Sequence, residues 1–171
     1  MGSSKEPLLV SACLLGLCTR LDGGHNLRRP VLALAEHFCL VPVCPEQLGG
    51  LSTPRRPAEI QEGAGAEVVL GAARVATPEG EDVTGAFLRG ALAAGEVARL
   101  TGATKAVLKA RSPSCGVGQT YDGSFTRHLR PGSGVTAHVL AESGLELWTE
   151  EDVRDGRGPA DRLETSERGT C

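Results

Sequence analysis

The chain has 171 residues, 40% hydrophobic and 23% charged, which suits one soluble domain with a real apolar core. A formal net charge of −3 lacks the basic footprint of proteins that grip a nucleic-acid duplex. No run approaches the roughly 18 apolar residues of a membrane span, and the polar start MGSSKEP does not read as a signal peptide.

Leu8 to Cys13 (LLVSAC) is a short apolar run that predicts a buried strand. Thr19 to Arg29 is a polar, glycine-rich loop, and Pro30 suits the first position of a helix carrying VLALAEHF. Cys39 to Cys44 (CLVPVC) predicts a second strand, stopped by Pro45 and followed by a long irregular stretch. Glu67–Leu70 and Arg74–Thr77 are expected to form a small hairpin at the sheet edge. The best helix begins near Asp82 to Thr84, carries Phe87, Leu88, Ala91, Leu92, Val97 and Leu100 at helical spacing, and closes at Gly102. Lys105 to Ala110 is a third strand, Gly134 to Ser143 another helix, and Leu145 to Trp148 a fourth strand. Residues 1–151 are expected to form one domain, and 152–171, charged and aperiodic, a flexible tail.

Strands alternating with helices predict an α/β fold: a small, mostly parallel sheet flanked by helices. Ligands bind beyond the carboxyl ends of such strands. Cys13 closes the first strand, Cys44 the second, and Cys115 follows the third by a short loop. If the strands are neighbours, the three thiols meet on one rim. With no secretory leader, the cysteines point to a cytoplasmic, reducing setting, where thiols serve metals or catalysis more often than disulfides. No spacing matches a zinc ribbon or a ferredoxin run, so the case depends on tertiary convergence. Three thiolates without a fourth leave one position open on a zinc ion or on one iron of a four-iron cluster. A cluster enzyme, a non-catalytic iron–sulfur or metal-binding module and a zinc hydrolase all remain open on these residues alone.

Among the other cysteines, Cys39 is expected to be plain core and Cys171 incidental, while Cys18 follows Cys13 closely enough to fold back toward the site. Glu46, two residues after Cys44, is placed for general acid or base work. Ser112 and Ser114 precede Cys115 and offer hydroxyls to a substrate. Arg55 and Arg56 read first as a solvated charge pair, with anion binding as the alternative. The GSG at 132–134 opens a helix, whose first N–H groups suit an anion.

Read together, SACLLG, VPVCPEQLGGLSTPR, GEDVTGAFLRGA, VLKARSPSCG, YDGSF and GVTAHVLAESG resemble a bacterial family whose characterised members are thiouracil desulfidases. The resemblance runs from about Leu8 to Glu150. It implies a [4Fe-4S] cluster on Cys13, Cys44 and Cys115, with Glu46 and Ser112 in catalysis. It also implies a small-molecule substrate, a thiolated pyrimidine: 2-thiouracil and water would give uracil and hydrogen sulfide. Two positions depart from the family pattern. Cys18 stands one place earlier than the usual loop cysteine, and Ser52 replaces the proline usual before T-P-R.

Overall fold

The computed structural model describes residues 5–160; Cys171 and the end of the expected tail lie outside them. Four strands form the main sheet: β1 (Glu6–Ser11), β2 (Phe38–Val43), β5 (Lys105–Leu108) and β8 (Glu146–Thr149). Their order is β2-β1-β5-β8 and every pairing is parallel. The fold is therefore the expected α/β arrangement of a small parallel sheet flanked by helices. Between these strands lie α1 (Arg29–Ala33), α2 (Pro45–Leu48), α3 (Gly65–Val69), α4 (Thr84–Thr101), α5 (Val135–Glu142) and, after β8, α6 (Glu150–Arg154).

Both faces of the sheet are covered, and the central strand shows why its sequence is an unbroken apolar run. Leu9 faces Ala98 of α4, Leu140 of α5, Ala106 and Leu108. Leu8 and Val10 face the other way, onto Leu14, Val31, Leu34, Phe38 and Val107. All three are fully buried, each worth roughly 1.5–3 kcal/mol of apolar transfer. A third cluster, with Ile60, Val68, Val75, Phe87, Ala91 and Val135, joins α3 and a small antiparallel pair to the outer side of α4 and α5.

That small pair corrects the expected hairpin. Its strands are β3 (Glu59–Gln61) and β4 (Arg74–Ala76), while Glu67–Val69 belongs to α3. Val68 and Val69 suggest a strand, but Glu67 reaches back to accept the Ala64 N–H at 2.9 Å and caps a helical turn instead. A second unexpected ribbon, β6 (Gln119–Tyr121) with β7 (Leu129–Pro131), lies in the loop after Cys115. Beyond residue 151 the chain completes α6, and Val153 and Ala160 pack against the cluster that holds Leu8 and Val10. Apolar contact keeps residues 152–160 on the body despite their charged sequence.

Candidate active site

The register of the sheet sets the site. Ser11 pairs with Val43 and Val10 with Val107, while Leu108 pairs with Thr149, so the four strands end on one level. The residues just past that level are Cys44 after β2, Ala12 and Cys13 after β1, Lys109 after β5 and Glu150 after β8. All of them line one cleft of about 460 Å³, together with Glu46, Arg55, Ser112 and Cys115. It opens where chain order reverses about β1, the usual ligand position in open α/β sheets. Cys13 and Cys44 are half-buried and Cys115 is buried.

Cys44 is placed by an unusually close helix contact. It precedes α2, whose Pro45 occupies the first turn. A methyl group on Gly90 of α4 would collide with the Pro45 carbonyl oxygen, and one on Gly49 with that of Ala86. Backbone therefore lies directly on backbone, and α4 fixes both Cys44 and Glu46.

Cys115 is placed by the start of α5. Helix N-termini leave N–H groups without intrahelical partners. Here the Pro113 carbonyl accepts from Val135 N at 2.9 Å, and the Ser114 carbonyl from Thr136 N at 2.9 Å and Ala137 N at 3.1 Å. Those donors, expected from the GSG sequence to suit an anion, are thus used to hold the cysteine loop. Ser112 Oγ accepts the N–H groups of Ser114 and Cys115, both at 3.1 Å, which tightens the turn and leaves its own proton free to donate. Ser114 is turned away from the cleft and pairs with Thr136 at 2.9 Å.

Glu46 stands beside the thiols and within electrostatic reach of Cys115. Its Oε2 accepts from Arg55 Nε at 2.5 Å. The Arg55 side chain is only 8% exposed, which corrects the solvated-pair expectation for this residue. Arg56 does fit it, pairing with Glu79 at the surface. Cys39, expected in the core, is exposed on the edge strand β2, as is Cys18 in its loop.

Three polar residues of the site carry no local sequence signal. Ser11 is buried in β1, accepts from Lys109 N at 2.9 Å and lies where its hydroxyl favours the Cys115 thiolate. Glu150, also buried, takes Lys109 Nζ at 2.6 Å and Ala110 N at 2.7 Å. That ion pair brings an ammonium and its partner carboxylate, with opposed effects, within electrostatic reach of Cys13. Only a polar residue ending a buried strand, or an acid opening α6, hinted at these partners.

Burial pushes the Cys13 thiol up to about 11, with neighbouring Cys44 adding to the effect. It pushes Cys115 to about 12, against the pull of the Ser11 hydroxyl. Both are thiols at neutral pH in the cluster-free protein, so metal loading must release protons. In that protein, iodoacetamide at pH 7.5 is expected to label exposed Cys18 and Cys39 well before Cys13 and Cys115. Labelling of the latter two should accelerate about tenfold per pH unit, because the thiolate is the nucleophile. Peptide mass mapping across pH checks this; Cys115 labelling as fast as Cys39 at pH 7.5 would contradict it.

Among the described residues, no group of three or more His, Cys, Asp or Glu side chains is gathered to hold one metal ion. Three thiol donors on one cleft suit iron–sulfur chemistry, where different irons take different thiolates.

The model of the 2-thiouracil desulfurase family matches residues 8–152. The chain belongs to that family. Its relatives include the Bacillus subtilis (strain 168) protein YbbK, described as uncharacterized, with 41% identity over 148 residues, 86% of this chain and 98% of that one. Among solved structures, the [4Fe-4S]-dependent thiouracil desulfidase TudS superposes with a TM-score of 0.78 at 36% identity, covering 95% of this chain and 99% of the other. The family match spans Cys13, Cys44, Cys115 and the residues around them. The described residues include no helix long and apolar enough to cross a membrane.

Proposed function

We propose that this chain is a [4Fe-4S]-dependent desulfidase that converts 2-thiouracil and water to uracil and hydrogen sulfide. The observation that carries the reading is the meeting of Cys13 and Cys44, just past two strand ends, with Cys115, on the loop after a third strand, in one cleft beside a carboxylate. Those thiols would hold the cluster. When bound, it supplies an open iron as a Lewis acid for a soft thiocarbonyl sulfur.

The chain's own residues do the rest. Glu46 keeps one oxygen on Arg55 and moves protons with the other, taking one from the attacking water and returning it toward the departing sulfur. Ser112, its lone pairs used by backbone donors, turns its hydroxyl proton to the ring. Lys109 adds positive charge near Cys13, where a three-thiolate site gathers negative charge. The reaction is hydrolytic and involves no net oxidation, and it suits the cytoplasm, where thiols stay reduced. No duplex nucleic acid is needed as partner. A non-catalytic module has no use for Glu46 beside the thiols.

The test is anaerobic reconstitution followed by incubation with 2-thiouracil. Uracil and sulfide should appear in equal amounts. Fully loaded protein that releases neither would remove the reading.

A further inference from the structure

We infer that Arg55 is a positioning residue of the desulfurase site, fixing the Glu46 carboxylate and the loop over Cys44 as one unit. This rests on the reading of Glu46 as the proton-transfer group.

Each nitrogen of the Arg55 guanidinium donates to a neighbour. Nε donates to Glu46 Oε2 at 2.5 Å, Nη2 to the Thr19 carbonyl at 3.0 Å, and Nη1 to Thr53 Oγ1 at 3.2 Å and the Ser52 carbonyl at 3.4 Å. Its backbone N–H donates to the Leu21 carbonyl at 2.8 Å. Two segments that do not touch in sequence, the loop after Cys13 and the turn before Arg55, are thereby tied to α2. The Thr19 carbonyl matters most, because it also accepts from Cys44 Sγ at 3.8 Å. Arg55 thus anchors the same carbonyl that Cys44 meets, so the loop over Cys44 and the Glu46 carboxylate share one support.

At Glu46, the one-sided grip leaves a single carboxylate oxygen for proton transfer and prevents the carboxylate from rotating. A planar fork presents separate nitrogens to Glu46 and Thr19 in a fixed geometry; a lysine ammonium carries its donors on one nitrogen and cannot reproduce it. The side chain is nearly buried yet borders the cleft, so a small cation can reach its place from solvent.

The experiment compares cluster-loaded Arg55→Ala, Arg55→Lys and Glu46→Gln for kcat, KM and iron per chain. We expect Arg55→Ala to retain its iron and KM and to lose about a hundredfold in kcat, the scale of a 1 Å misplacement. Tens of millimolar guanidinium chloride should restore at least part of that rate to Arg55→Ala and none to Glu46→Gln. Should Arg55→Ala not fold, Arg55→Lys carries the test, and a near wild-type kcat in it overturns the inference. So does an Arg55→Ala loss that guanidinium leaves unrescued, or no loss while Glu46→Gln is inactive. If Glu46→Gln is itself fully active, the role of Glu46 fails, and that of Arg55 with it.

Discussion

A Glu46→Gln variant is expected to load its cluster normally and to lose between about 10²- and 10⁴-fold in kcat, the range for removing a positioned acid–base group. The carboxamide is nearly isosteric and can still accept from Arg55, but it cannot take up a proton. Cys44 is held by α2 and α4 rather than by Glu46, so iron content should match wild type. Stability should fall modestly, by about 1–3 kcal/mol, because a charge-assisted bond to a buried guanidinium becomes a neutral one. Steady-state rates on iron-matched samples below the melting range check this. A variant with wild-type kcat would remove Glu46 from the chemistry.

Gly90→Ala should damage fold and site together. In an ordinary helix the change stabilises by about 1 kcal/mol. Here the added methyl meets the Pro45 carbonyl, backbone that has no rotamer to yield. Overpacking of this kind costs about 3 kcal/mol, a fall in Tm of roughly 6–12 °C for a chain of this size. Relief requires α2 to move off α4, which carries Cys44 and Glu46 away from Cys13 and Cys115. Iron loading should therefore drop even where the protein is folded. Gly95→Ala, on the same helix, is the control, since its methyl would sit 3.9 Å from Val139 Cγ1 in ordinary contact. Thermal melts and iron assays of both variants decide the point, and an undisturbed Gly90→Ala would contradict the proposed role of the α2–α4 contact.

The main sheet is legible because β1, β2 and β5 are short apolar runs bounded by polar or irregular loops. Placing the cysteines at strand ends then predicted a common rim without any local ligand spacing. The glycines of the α2–α4 contact gave no such hint: Gly90 reads as a defect in a helix until its neighbour is known. Arg55 is hidden for a related reason. Two adjacent arginines after a proline look solvated, and only the fold brings Glu46, Thr19 and Leu21 around the first of them. Likewise Glu150 and Lys109 are 41 positions apart in the chain yet 2.6 Å apart at the cleft. The element misread as a strand, α3, turned on one side-chain cap outweighing two β-branched residues.

Iron and acid-labile sulfide per chain, after anaerobic reconstitution, bear most directly on the three thiols. About four of each per wild-type chain is expected. Cys13→Ser, Cys44→Ser and Cys115→Ser should each lose most of the iron, while Cys18→Ser and Cys39→Ser keep it. Full iron in the first set, or one zinc per chain in place of iron, would show that these strand ends do not hold a cluster between them.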